Sequence, residues 1–210
     1  MMKNKNRIIV AILTFALAVS SFTLQSADTQ SATSRSKSAI KAYKKILSSE
    51  KEAKKVATYF DRLKFDVIDI NKDGIKEIVV TDDDGYHAEI YAYVNGKVKE
   101  VGSSFASGNG DKYYPDRHIY YTQLFHSGEY LHQYYKFDGK KMKLVAEQNG
   151  YDVYVEQIDK IKTVTEYLIK GKPVSRRKYK AYVKKILNGA KGKKFKWHKN
   201  TKANRQKYLR

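Results

Sequence analysis

The sequence predicts one α+β domain: an antiparallel β-sheet meander flanked by an amino-terminal and a carboxyl-terminal amphipathic helix. Three observations predict it. Short runs alternate apolar and polar residues with period two, and tight-turn dipeptides punctuate them. Stretches with apolar residues at helical spacing stand at both ends of that β region. Eighteen tyrosines and only two prolines suit an ordered, β-rich chain.

The chain opens with Lys3, Lys5 and Arg7. Ile8 to Val19 follows with Thr14 as its one polar residue, then a small and polar stretch to Ala32. That is the order of a secretory signal peptide, assigned to residues 1–27. The apolar run is too short for a spanning helix, which takes about 20 residues. No later segment is apolar enough to cross a membrane. Residues 28–37 are rich in Ser and Thr and read as a linker. Residues 38–190 read as a single domain, and 191–210 as a basic tail. There is no cysteine, which excludes disulfides and a lipid-bearing lipobox cysteine.

Ser38 to Arg62 reads as a helix, with Ile40, Tyr43, Ile46 and Leu47 on one face and Val56, Tyr59 and Phe60 continuing it. Strands are expected at Phe65 to Ile70, Glu77 to Thr81, Ala88 to Val94 and Lys97 to Phe105. Asn95-Gly96 should make a type I′ hairpin turn, which needs positive φ at both central residues. Ile119 to Phe125, Leu131 to Phe137 and Lys141 to Gln148 form a second meander, with Asp138-Gly139 as its tight turn. Tyr151 to Ile158 and Lys162 to Ile169 read as further strands. Ser175 or Val174 should cap a last helix over Arg176 to Leu187, with Tyr179, Tyr182, Val183, Ile186 and Leu187 as its apolar face.

One stretch carries chemistry. In Asp69-Ile70-Asn71-Lys72-Asp73-Gly74-Ile75-Lys76-Glu77 oxygen side chains stand at alternate positions, then a glycine, then another carboxylate. Hard cations such as Ca²⁺ want six to eight oxygen ligands, and such a loop supplies many of them. Asp69, Asn71, Asp73 and Glu77 would ligate through side chains and Ile75 through its carbonyl. An EF-hand needs a Glu at position 12, where this chain has Val80, and its flanks are helices. The competing reading is a plain polar turn. Asp82, Asp83 and Asp84 read as a solvated turn.

The D-x-N-x-D-G-x-x-E pattern between two strands resembles the calcium loops of FG-GAP and VCBS-type repeats, over about residues 65 to 94. More loosely, the mature chain resembles small secreted proteins and lipoproteins of Gram-positive bacteria. These share the early helix, the acidic loop, the NG hairpin and a late segment seen here as Gly171-Lys172-Pro173-Val174-Ser175, followed by Tyr179. That resemblance implies a location outside the cell and a fold plan, and no activity.

The net charge is +20, and it falls to +17 once the three basic residues of 1–27 are removed. From Tyr167 to Arg210 there are seventeen Lys or Arg and no Asp or Glu. Lys191, Lys193, Lys194, Lys196 and Lys199 interleave with Phe195 and Trp197. Lysines neutralise phosphates and aromatics stack, so this segment suits a polyanion. Outside a Gram-positive cell that is teichoic acid or a similar envelope polymer rather than nucleic acid. A frayed, solubilising terminus is the bland reading.

Catalytic signatures are absent from the sequence. His87, His118, His126, His132 and His198 show no H-E-x-x-H spacing, and no P-loop, G-x-S-x-G or G-x-G-x-x-G occurs. Asp66 and Glu89 are a conceivable carboxylate pair. Tyrosines 113, 114, 120, 121, 134 and 135 should give one sheet a core face and an exposed aromatic face, suited to a glycan. The expectation is a secreted, non-enzymatic protein with one structural Ca²⁺, held to the envelope by its tail. The alternatives are a polyanion- or glycan-binding module, or a wall-acting enzyme or inhibitor, without metal.

Overall fold

The structure, a computed structural model, describes residues 33–53, 62–81, 87–104, 110–126, 128–155 and 160–210. The segment read as a signal peptide, Val56, Tyr59, Phe60 and the Asp82–Asp84 stretch read as a turn lie outside them. Among the described residues no helix is long and apolar enough to cross a membrane.

The fold is α+β, with two antiparallel sheets instead of the single one expected. The first has five strands in the order β12-β1-β2-β3-β4. These are β1 (Lys64–Ile68), β2 (Glu77–Thr81), β3 (Ala88–Val94), β4 (Lys97–Ser104) and β12 (His198–Lys199). The second has seven, in the order β10-β9-β8-β7-β6-β5-β11. These are β5 (Lys112–Tyr114), β6 (Ile119–His126), β7 (Glu129–Phe137), β8 (Met142–Val155), β9 (Lys160–Ile169), β10 (Lys172–Pro173) and β11 (Lys193–Lys194).

The first sheet is buried on both faces. Its central strand β2 has every residue buried. Helix α1, over 33–48, lays Ala39, Ile40, Tyr43 and Leu47 on Phe65, Ile78, Val80 and Tyr91. The opposite face, with Ile68, Val79, Ile90 and Ala92, meets Tyr120 and Phe137 of the second sheet. Period-two alternation sorts successive residues of β1, β2 and β3 into these two cores.

Helix α1 occupies 33–37, read from the sequence as linker, and stops at Ser49. A single turn, α2 (Glu50–Ala53), follows. The break matches Ser48-Ser49, whose side chains compete for backbone hydrogen bonds. β8 runs unbroken through Asn149-Gly150, where the sequence suggested two strands. Gly150 is there for close approach: a Cβ at that position would meet the Tyr130 ring at 2.0 Å. The Asn95-Gly96 turn has both φ angles positive, as expected for a two-residue hairpin. Asp138-Gly139 instead heads a four-residue loop, where Asp138 Oδ1 accepts from the N–H groups of Lys140 and Lys141. A two-residue hairpin at Lys170-Gly171, both with positive φ, joins β9 to β10.

Helix α3 (Arg176–Leu187) is capped by Ser175, whose Oγ accepts from Lys178 N–H. It packs on the second sheet through Tyr179 and Tyr167. A short helix, α4 (Lys202–Tyr208), closes the chain with Thr201 as its N-cap.

Candidate functional site: the acidic loop between two sheets

Ile70 and Ile75 are buried in different cores and pin the two ends of the acidic loop. Lys72 and Gly74 have positive φ, and these two kinks turn the chain between β1 and β2. The loop is built from local bonds. Asp69 Oδ2 accepts from Gly74 N–H at 3.1 Å. Asp73 Oδ1 accepts from Ile75 N–H and its Oδ2 from the Asn71 amide, each at 2.8 Å. Glu77 Oε2 accepts from Ile70 N–H at 3.0 Å, beneath the loop.

Two oxygens are left over. Asp69 Oδ1 and Asn71 Oδ1 are buried atoms with no hydrogen-bond partner. A buried acceptor without a partner costs about 1–3 kcal/mol, so each demands a reason. Glu77 is only 2% exposed. Burial first, then repulsion from Asp73 and Asp69, pushes its carboxyl up to about 9, against the hydrogen bond from Ile70. At neutral pH it is a protonated acid.

The loop abuts the second sheet. Lys72 pairs with Asp116 of the 3₁₀ turn Pro115–Arg117. Asn71 lies against Gly139 of the β7–β8 turn. Burial, then Lys136, holds the imidazole of His118, at the end of the 3₁₀ turn, below its usual range, against the pull of Asp73 and Asp69. Tyr43 of α1 donates to Lys76 O at 2.9 Å. The loop therefore meets α1 and both sheets. Among the described residues no three His, Asp or Glu side chains converge, because Asp73 and Glu77 are turned onto backbone N–H groups of the loop itself.

The tail reading is corrected. Residues 193–209 form a strap across the molecule. β11 pairs with β5, and β12 pairs with β1. Between them Phe195 stacks on Tyr113 at 5.6 Å and touches Tyr120, and Trp197 packs on Phe195 at 5.3 Å. These aromatics are partly buried and pack against the inter-sheet core. Lys196 N–H donates to buried Asp66 Oδ2 at 2.8 Å, and burial pushes the Asp66 carboxyl up. Asn200 caps α1 through Leu47 O at 2.9 Å, and Leu209 is fully buried. Lys191, Lys193, Lys194, Lys196 and Lys199 remain exposed.

The tyrosine expectation is also revised. Tyr113, Tyr120 and Tyr135 face the inter-sheet core as expected. Tyr121 and Tyr134 lie on the other face, within electrostatic reach of α3's Tyr179. Burial, with Tyr114 beside it, pushes the Tyr134 phenol up to about 12. This end of the second face is covered, not open. Asp66 and Glu89 point to opposite faces of the first sheet and form no pair, since Asp66 aligns with Val79 and Glu89 with Val80. Glu89 bonds His87, just before its strand, and Tyr91 on it. His132 bonds Tyr121, and His198 stacks on Tyr208.

The sequence reading missed the strap, whose one local signal is the pair Phe195 and Trp197, two residues apart and packed on the same core. Comparison with family models, curated proteins and solved structures finds no match to this chain.

Proposed function

We propose that the 69–77 loop is a structural Ca²⁺ site in a secreted, non-enzymatic protein, and that the basic carboxyl-terminal part associates with an anionic envelope polymer. The observation that carries the metal reading is the pair of buried, partnerless oxygens, Asp69 Oδ1 and Asn71 Oδ1. A hard cation satisfies such oxygens as no residue nearby does. Asp73, Glu77 and the Ile75 carbonyl would complete the set, with Glu77 giving up its proton and Asp73 exchanging loop hydrogen bonds for the ion. The ion's work is mechanical: it would tie the β1–β2 loop rigidly where the two sheets meet.

Thermal unfolding of the chain in EDTA, then with titrated Ca²⁺, tests this. A native-state binder stabilises by RT ln(1 + [L]/Kd), so Tm should climb with Ca²⁺. Asp69→Ala should abolish the climb while changing the EDTA melt little, since it removes a buried partnerless oxygen along with one surface bond. No climb in the wild type up to millimolar Ca²⁺, or an equal climb in the variant, overturns the metal reading.

A further inference from the structure

Two adjoining grooves run along the seam between α1 and α4. One, about 340 Å³, lies between Lys37, Lys41 and Lys44 of α1 and the terminal Arg210. The other, about 280 Å³, lies between Lys44, Lys202 and Arg205. Lys44 borders both, and the two adjoining grooves together are called the trough. Among the described residues no Asp or Glu lines either groove. Among the described residues Lys37, Lys41, Lys44 and Lys202 have no ion-pair partner.

Lys37, Lys41 and Lys44 stand at i, i+4 and i+7, on one helical face. Their rise along the axis is ~6 Å and then ~4.5 Å. Like charges at that spacing repel, a cost that a bound anion would remove. Arg205 is already oriented, its Nη1 donating to Asn200 O at 3.2 Å and Oδ1 at 2.8 Å. A guanidinium held in place loses less freedom when it engages a phosphate. Ser36, Ser48 and Gln206 add neutral polar groups along the walls.

We infer that this trough binds a linear polymer of phosphodiesters, laid along α1. This rests on the polyanion reading above and moves its contact away from residues 191–199. The shape selects the ligand. A trough takes a strand, whereas a membrane surface calls for a flat or convex face with exposed apolar side chains. Ile40 and Leu209, the apolar residues here, are buried. Among the described residues no aromatic ring lines the trough to stack a nucleobase, which argues against single-stranded nucleic acid.

The test uses the full mature chain, lipid-free poly(glycerol phosphate) and EDTA, with affinity measured calorimetrically at two salt concentrations. Two triple variants remove equal charge: Lys37→Gln, Lys41→Gln, Lys44→Gln in the trough, and Lys191→Gln, Lys193→Gln, Lys194→Gln in the strap segment. All six lysines are exposed, and melts of both variants verify the fold. The trough variant should lose at least tenfold in affinity and show a flatter dependence on log[salt], because fewer counterions are released. The strap variant should lose less than threefold. Equal losses, or a larger loss in the strap variant, overturn the trough while leaving polyanion binding intact. No binding of the wild type overturns the polyanion reading itself. Tighter, trough-dependent binding to phosphatidylglycerol vesicles than to the soluble polymer would make the ligand a membrane and also overturn the proposal.

Discussion

The acidic loop and the carboxyl-terminal strap both sit where the two sheets meet, and they are held by opposite means. Within the loop, the hydrogen bonds from Gly74 to Asp69 and from Ile70 to Glu77 span five and seven residues. In the strap, the bond from Lys196 to Asp66 spans 130 residues and that from Asn200 to Leu47 spans 153. One junction is encoded by neighbours in sequence. The other exists only after the rest of the fold has formed. A solvated-tail description of residues 191–210 and a strap description therefore differ sharply in what mutation should do.

The largest expected effect is at Leu209. It is fully buried in the α1 core with Tyr43 and Phe65. Leu209→Ala should cost about 2–5 kcal/mol, the usual range for a buried leucine that leaves a cavity. Urea unfolding reads it as a lower midpoint at unchanged m-value. An unchanged midpoint would restore the solvated tail and break the comparison. Phe195→Ala should cost somewhat less, about 2 kcal/mol, because the ring is only half-buried between Tyr113 and Tyr120. Its exposed neighbour Lys194→Ala should stay within about 0.5 kcal/mol. Similar costs at the two positions would mean that the period-two alternation of the strap does not organise its packing.

The loop's counterpart is a pH dependence. Glu77 titrates near 4.5 when unfolded and at about 9 when folded. Between those values the native state holds the extra proton, so stability falls as pH rises through the window. Unfolding in EDTA at pH 7.5 and 8.8, above the range of the histidines, should show that fall. Glu77→Gln should flatten it, because the amide still accepts from Ile70 and does not titrate. A slope that survives the substitution would assign the proton elsewhere.

The same contrast explains what the sequence disclosed. Glu77–Thr81, Ala88–Val94, the Asn95-Gly96 turn and the Ser175 cap of α3 are readable because each is decided by residues a few places apart. The acidic loop is readable for the same reason. Two-residue strands made of Lys193-Lys194 and His198-Lys199 have no propensity to announce them, and only their partners β5 and β1 make them strands. The division into two sheets is likewise remote information. It depends on Phe65 and Ile68 of one strand facing different cores, which alternation permits but does not reveal. The trough is hidden too, since Lys44 and Arg205 come from opposite ends of the described chain.

The smallest effect sharpens the comparison most. Gly74 has φ +79°, and a Cβ there would meet nothing within 4 Å. Gly74→Ala should therefore cost only the left-handed backbone preference, about 1 kcal/mol, read by urea unfolding. Combined with Leu209→Ala, the two costs should add within about 0.5 kcal/mol, as they do for sites with no shared partner. Additivity would mean that loop and strap secure the molecule independently. A coupling well above that would mean the turn at Gly74 is transmitted through Ile75, which shares a core with Leu209. The loop would then depend on the strap for its shape, and a locally encoded turn would need the whole fold before it could form.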